Sequence, residues 1–329
     1  MRLADLPLGP SGKPPYKGSR ATGDDARYIY HVRGSNTAEF MRYDAATDSW
    51  SLLPDVPVGT KPTVKGGVDL VFVQRYGTGY VYLLRGKGPD YYRYNTSTGA
   101  WSALPAPPFE PRGREGNWLC YDLERYIYCQ PAKGSMMYRF DVAGDTWLRD
   151  SLHGVPRFNL QTGRTKKPGE GGGGAWHDGL LYALKGNNTQ DIYSFNPETG
   201  QWGERETVPG EFFYNGKRTR VKAGGDMISY EGGNVPAMLF VLKGGKTDEL
   251  WRYEQDKVGA AKTDPAQSAT TVHRFAERTP RARSTLTASL HSLGTACFDV
   301  LGRRVNAAGQ LRPGVYYFGP ERRRVVVVR

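Results

Sequence analysis

Along the first 257 positions, short stretches of aromatic and aliphatic residues alternate with polar ones. A period of two marks strands with one face buried. Tyr28-Ile29-Tyr30 opens one such stretch and Phe40-Met41-Arg42-Tyr43 the next, and after a turn rich in Asp, Thr and Ala, Trp50 opens a third. The same succession returns down the chain. The segments are "RYIYHVRGSNTAEFMRYDAATDSWSLLPDVP" from Arg27, "GYVYLLRGKGPDYYRYNTSTGAWSALPAPP" from Gly79, "RYIYCQPAKGSMMYRFDVAGDTW" from Arg125, "GLLYALKGNNTQDIYSFNPETGQW" from Gly179 and "AMLFVLKGGKTDELWRYEQDK" from Ala237. Their shared anchors Tyr43, Tyr94, Phe140, Phe195 and Tyr253 are 51, 46, 55 and 58 residues apart.

Upstream of each segment lies a glycine-rich run, among them "KGGVDLVFV" and "GGGGAWHDG". Such a run suits an innermost strand, where strands crowd towards an axis and glycine permits close backbone approach. Each unit then holds four short strands, and a repeat near 50 residues that cannot bury its own face must stack on its neighbours. The reading is an all-β, five-bladed β-propeller of four-stranded antiparallel blades over residues 1–257. Tyr43, Trp50, Tyr94, Trp101, Phe140, Trp147, Phe195, Trp202 and Tyr253 are expected to pack blade against blade.

These units resemble the kelch repeat, in which glycines follow the second strand and a Tyr-Asp turn and a Trp come after. The chain keeps the aromatic anchor, the turn and the Trp. It shows one glycine in most units, preceded by a cation at Arg33, Arg85, Lys185 and Lys243, with Pro131 in the third unit. Rotation about the axis would set the four cations in a ring. At a channel mouth they would attract acidic glycans or carboxylates; otherwise they are solvated loop cations.

The fifth unit breaks off after Tyr253 without a turn-Trp or a Leu-Pro phrase. The opening "LADLPLG" aligns with "LLPDVPVG", so that Asp5 falls on Asp55 and Pro7 on Pro57. Leu3, Asp5, Leu6, Pro7 and Leu8 are therefore expected to supply the missing fourth strand of the last blade. They would close their own ring, or enter a neighbouring molecule and build a homo-oligomer or filament; a third reading is a chain lacking upstream blades.

Residues 258–283 have no strong period and read as a linker. Beyond them, strands are expected at Ala296–Val300, Val315–Phe318 and Val325–Val328, with turns at Leu301-Gly302 and Arg312-Pro313-Gly314. The phrases "DVLGRRV", "LRPGVYYF" and "RRRVVVVR" resemble the C-terminal sorting domain of bacterial type IX secretion cargo. That resemblance implies a small Ig-like β-sandwich over 284–329, recognition by the secretion machinery, and a place on the cell surface or in the medium.

Composition agrees with this picture. Forty-two glycines and 22 prolines suit many short strands joined by turns. No apolar run approaches the ~20 residues that span a bilayer, and the first thirty residues hold no signal-peptide core. The net charge of +12 is uneven. From Val258 onwards one Lys and eleven Arg stand against two Asp and two Glu, leaving about +4 for the rest. That distribution provides no basic stripe on the propeller and no case for nucleic acid. Cys120, Cys129 and Cys297 have no metal-like spacing, and Cys120 and Cys129 are expected as buried thiols. His31, His153, His177, His273 and His291 are scattered. No nucleophile elbow, phosphate loop or metal motif appears, so no catalytic residue, cofactor or metal is assigned. The expectation is a non-enzymatic binding or scaffold protein for other proteins or surface glycans. A titratable pair in the channel would favour a carbohydrate-active enzyme instead.

Overall fold

The computed structural model describes residues 3–86, 88–109, 116–210, 219–230, 238–247 and 249–254, and the backbone of strands at 271–275, 297–299, 304–305, 314–318 and 323–327. Two units emerge, Met1–Phe275 and Ala276–Arg329.

The first unit is a propeller of five antiparallel sheets. Blade 1 runs β1 (Arg20–Gly23), β2 (Tyr28–Val32), β3 (Phe40–Asp44), β4 (Ser49–Leu53) from axis to rim. Blade 2 is β5 (Asp69–Arg75), β6 (Thr78–Leu84), β7 (Tyr91–Asn95), β8 (Ala100–Ala103). In blade 3, β9 (Trp118–Tyr121), β10 (Tyr126–Gln130) and β11 (Met136–Asp141) are followed by an outer strand in two pieces, β12 (Thr146–Trp147) and β13 (Leu152–His153), both paired with β11. Blade 4 is β14 (Gly173–His177), β15 (Leu180–Leu184), β16 (Ile192–Asn196), β17 (Gln201–Arg205). Blade 5 is β18 (Asp226–Tyr230), β19 (Met238–Leu242), β20 (Leu250–Glu254), β21 (Thr271–Phe275).

The anchors of the repeat fall into one register. Ile29, Tyr43 and Trp50 lie side by side across blade 1, as do Val81, Tyr94 and Trp101 in blade 2 and Leu181, Phe195 and Trp202 in blade 4. The reason is packing between blades. Tyr94 and Trp101 meet Phe40 of blade 1 at ring-centroid distances of 5.1 and 5.0 Å. Phe140 and Trp147 meet Tyr91 of blade 2 at 5.0 and 5.1 Å. Phe195 meets Tyr128 at 6.3 Å and Tyr253 meets Tyr182 at 6.0 Å. The anchor indoles also hold the outer end of the preceding blade: Trp101 donates to Pro54 O and Trp147 to Pro105 O, just past blades 1 and 2, and Trp202 to His153 O in β13.

The opening of the chain takes this same connecting role, which corrects the expectation for Leu3, Asp5, Leu6, Pro7 and Leu8. The fourth strand of blade 5 is β21, antiparallel to β20, and residues 3–9 form no strand. They lie along blade 1 instead. Trp50 donates its indole N–H to Ala4 O, Ala4 N donates to Asp48 Oδ1, and Arg33 Nη2 donates to Pro7 O. Ala4 aligns with Pro54, so the alignment located the right contact while misreading a connector as a strand. The stretch expected as a linker likewise contains a blade strand, and its remainder, 258–270 and 276–283, lies outside the described residues.

A glycine with positive φ stands two residues before every inner strand: Gly18, Gly67, Gly116, Gly171 and Gly224, with φ of 83, 90, 108, 80 and 80°. At Gly18, Gly116 and Gly171 the backbone turns into the strand against the segment that leads into the next blade. At Gly171 a Cβ would overlap the Lys222 carbonyl oxygen. Cys120 and Cys129 sit on β9 and β10 as buried free thiols whose ionisation burial pushes well up.

The second unit contains one four-stranded antiparallel sheet in the order β23 (Arg304–Val305), β22 (Cys297–Asp299), β24 (Gly314–Phe318), β25 (Arg323–Val327). The three expected strands are there within a few residues; Ala296, Val300, Val328 and the turn residues 301–302 and 312–313 lie outside the described residues.

Candidate functional site

The four cations expected as a ligand-facing ring are not on the surface. Arg33, Lys185 and Lys243 are fully buried and Arg85 almost so. Each is paired with an acid five or six residues on: Arg33 Nε–Glu39 2.5 Å, Arg85 Nη1–Asp90 3.6 Å, Lys185 Nζ–Asp191 3.1 Å and Lys243 Nζ–Glu249 2.9 Å. Three of them also donate to a carbonyl of the preceding connector, Pro7 O, Phe158 O and Pro209 O respectively. A buried charge persists only when paired and hydrogen-bonded, and these pairs fasten the loop between second and third strands to the chain entering from the neighbouring blade. Burial lowers the Lys185 pKa, with Asp191 opposing. Burial works against ionised Glu39, but hydrogen bonds from Ser11 and Arg33 hold its pKa below the ordinary value. In blade 3, where Pro131 stands in the cation's place, Gln130 accepts from Val155 N and donates to Pro131 O. In blade 2 the acid comes one residue early and is also held by Thr60 N and Oγ1. Arg85 Nε and Nη2 are left without hydrogen-bond partners.

Ionisable chemistry gathers instead at the axis, on the first residue of each inner strand: Arg20, Asp69, Trp118, Gly173 and Asp226. All but Gly173, which has no side chain, reach towards the next blade. Arg20 Nε lies 3.5 Å from Asp69 Oδ1. Asp69 Oδ2 accepts from Leu119 N at 2.6 Å, the Trp118 ring lies where a Cβ on Gly174 would fall, and Asp226 Oδ2 closes the circuit on Arg20 Nη1 at 3.1 Å. Arg20 also donates to Gly225 O. Two carboxylates thus share one guanidinium. Burial raises the Asp69 pKa to about 7, against the pull of Arg20 and with the Asp226 charge adding to the rise. Nothing in the charge pattern singled these residues out; the signal was positional, two residues beyond the repeated glycine.

The ring closes at this level, but the two blades that meet there do not pack like the others. Clusters of buried apolar side chains join blades 1 and 2, 2 and 3, 3 and 4, and 4 and 5. Among the described residues none joins blades 5 and 1. Alternation along β18 and β19 sends Met227, Leu239 and Val241 into the blade 4 interface, and Asp226, Ile228, Tyr230 and Leu242 to the other face. There Ile228, Tyr230 and Leu242 are 60, 47 and 40% exposed. On the blade 1 side Ile29 and Leu52 are 41 and 54% exposed. Tyr43 and Trp50, expected between blades, pack on each other at 5.1 Å, with His31 6.0 Å from Trp50. His31 lies on the same face. Its Nε2 meets Ser19 Oγ at 2.9 Å, and its buried Nδ1 has no partner. Burial, helped by the Arg33 charge, lowers its pKa to about 4, so the ring is neutral near pH 7.

Asp69 and His31 impose opposite pH dependences on stability. Asp69 holds its proton when folded up to about pH 7, whereas unfolded it loses it near 4, so its contribution falls as pH rises through that window. His31 binds its proton only when unfolded between about pH 4 and 6.5, so its contribution rises over the same window. Replacing Asp69 by Asn is expected to leave the His31 slope uncovered. Urea midpoints of D69N should climb between pH 4.5 and 6.5 more steeply than those of the unaltered protein. Parallel curves for the two proteins would refute the assignment.

No family model and no curated protein matches the chain. Among solved structures it is similar to YjhT, with a TM-score of 0.44 and 14% identity over 68% of this chain and 72% of that one. It is also similar to an auxiliary nutrient binding protein from Bacteroides ovatus, with a TM-score of 0.45 and 16% identity over 70% of this chain and 52% of that one. The chain therefore spans about half the length of the second.

Proposed function

We propose that this is a non-enzymatic binding propeller of the cell surface or medium, exported through its C-terminal unit, whose ligand site is the seam between blades 5 and 1. The observation that carries the reading is the pair of partly exposed apolar faces there, whereas among the described residues buried apolar clusters fill the other four interfaces, with polar groups converging at the inner end. Fixed, buried ion pairs hold the surrounding loops and leave the seam as a preformed surface. The kelch-like repeat and the sorting-domain phrases support a scaffold that displays such a site outside the cell, to proteins or surface glycans.

The test uses the full chain and the neutral apolar dye Nile red. Saturable one-to-one binding is expected, weakened at least about fivefold by Ile228→Asn and unchanged by Tyr76→Ala in the exposed β5–β6 turn. Equal binding by both variants would remove the seam as the site.

A carbohydrate-active enzyme is the second reading, favoured by one observation: burial pushes Asp69 up beside Asp226, an arrangement that suits an acid and its charged partner. It stands second because Arg20 and backbone N–H groups already engage both carboxylates. Turnover of aryl glycosides that D69N and D226N both abolish would promote it.

A further inference from the structure

The seam leaves Ile228, Tyr230, Leu242, Ile29 and Leu52 exposed and is chemically uneven. Its outer part is apolar. Its inner end is the axial cluster of Arg20, Asp69 and Asp226, in which burial lets Asp69 keep its proton up to about pH 7 and Asp226 faces the guanidinium. These three groups are not equally accessible: the side chains of Arg20 and Asp69 are 9 and 10% exposed, that of Asp226 35%. The charge that the seam can present is therefore a carboxylate, and the cation that partly offsets it is withdrawn behind it. Asp226 is on the same face of β18 as Ile228 and Tyr230, two and four residues on. In an extended strand that places them about 7 and 13 Å along one wall.

A second observation comes from the opposite wall. His31 Nδ1 is buried without a hydrogen-bond partner. The ring is neutral and its other nitrogen is taken by Ser19, so with the proton on Nε2 this nitrogen is an acceptor. The neutral ring therefore brings no positive charge to this wall, and the charge at the inner end is the Asp226 carboxylate. Arg252 shares the blade 5 face, but it stands two strands out from Ile228, by way of Phe240. At about 4.8 Å per strand it sits some 10 Å from the inner wall.

Resting on the proposal that the seam is the ligand site, we infer that it receives an organic cation with an apolar body. An amine or guanidinium lies against Asp226 at the inner end, and the body lies on Ile228 and Tyr230. A neutral ligand would leave the carboxylate's accessible side with water alone. An anion would face the carboxylate directly.

The experiment compares 2-phenylethylamine with its neutral counterpart 2-phenylethanol on the full chain at pH 7, by saturation-transfer NMR titration. The amine is expected to bind at least about tenfold more tightly, the scale of one hydrogen bond to a charged group. Asp226→Asn should bring the two within about threefold. Ile228→Trp, which fills the seam without changing its charge, should weaken both. If the two probes bind equally to the unaltered protein and Ile228→Trp weakens both, the seam stands as the site and the cation inference is overturned. A preference that survives Asp226→Asn also overturns it, as does binding of neither probe at 10 mM. Binding of both that ignores Ile228→Trp overturns the seam itself. The comparison on the unaltered protein decides the matter even where a variant fails to fold.

Discussion

Asp191→Ala is expected to lower the stability of the propeller by about 3–5 kcal/mol, the usual cost of stranding one member of a buried ion pair. Asp191 is fully buried. Its carboxylate accepts from Lys185 Nζ at 3.1 Å and from Asn159 Nδ2 at 3.1 Å on each oxygen. Alanine would leave the ammonium with the Phe158 carbonyl and the face of Tyr193, and leave Asn159 Nδ2 with the longer bond to Gln161 Oε1 alone. The double replacement Lys185→Met with Asp191→Leu should recover most of the loss, because apolar residues of similar volume need no partner. Asp150→Ala makes the contrast: Asp150 pairs with Arg139 from a side chain 60% exposed, and should change stability by less than about 1 kcal/mol. Urea unfolding of the variants decides it, and an Asp191→Ala loss no larger than that of Asp150→Ala would mean the buried pairs do not hold the blades.

Gly171→Ala should be as damaging by a different route. Positive φ alone costs a non-glycine residue roughly 1–2 kcal/mol, and here the new methyl would also overlap the Lys222 carbonyl, a backbone atom that cannot swing away. The expected loss is at least about 3 kcal/mol. Gly200, in the β16–β17 turn, separates the two causes: its φ is 69° but nothing lies within 4 Å of a Cβ there. Gly200→Ala should therefore show the conformational cost alone. Thermal unfolding of the two variants, if it gave equal losses, would show that the close approach of neighbouring blades has no energetic weight.

The repeat was legible because burial against a neighbour imposes the same residue types at the same register in each blade. Tyr94, Phe140 and Phe195 could be aligned by eye because each must fill a like space. The cations were legible as a recurring feature but not as a buried one. A cation followed by glycine looks like a solvated turn, and its meaning depends on an acid farther along. Arg33, Lys185 and Lys243 are each followed by glycine, a threonine at the fourth position and an acid at the sixth. In all three that threonine hydroxyl donates back to the glycine carbonyl. The signal was present, but its reading required knowing that the loop folds back on its own cation. Strand β21 was hidden for the opposite reason: Thr271–Phe275 lies 17 residues beyond Glu254 and carries neither the tryptophan nor the turn of its counterparts. The axial cluster was hidden because Arg20, Asp69, Trp118, Gly173 and Asp226 share a position and nothing else. Function at an axis varies residue by residue on a constant backbone, so periodicity points to the place and not to the chemistry.

The indole hydrogen bonds have a direction. Trp101 and Trp147 grip the chain that leaves the blade before, Trp202 grips the last outer strand of blade 3, and Trp50 grips the opening of the chain, which follows no strand of blade 5. Among the described residues, buried apolar clusters run from blade 1 to blade 5 and stop. In the thermodynamics of stacked repeats, an array that shares an apolar core at every neighbour but one, and is joined there through Arg20 to Asp226 and Gly225, is nearer a line than a circle. Blades 1 and 5 are then terminal repeats, each with one neighbour's worth of burial, and opening begins with them. The propeller is a split washer, and its most easily parted joint is the one that carries the axial charges.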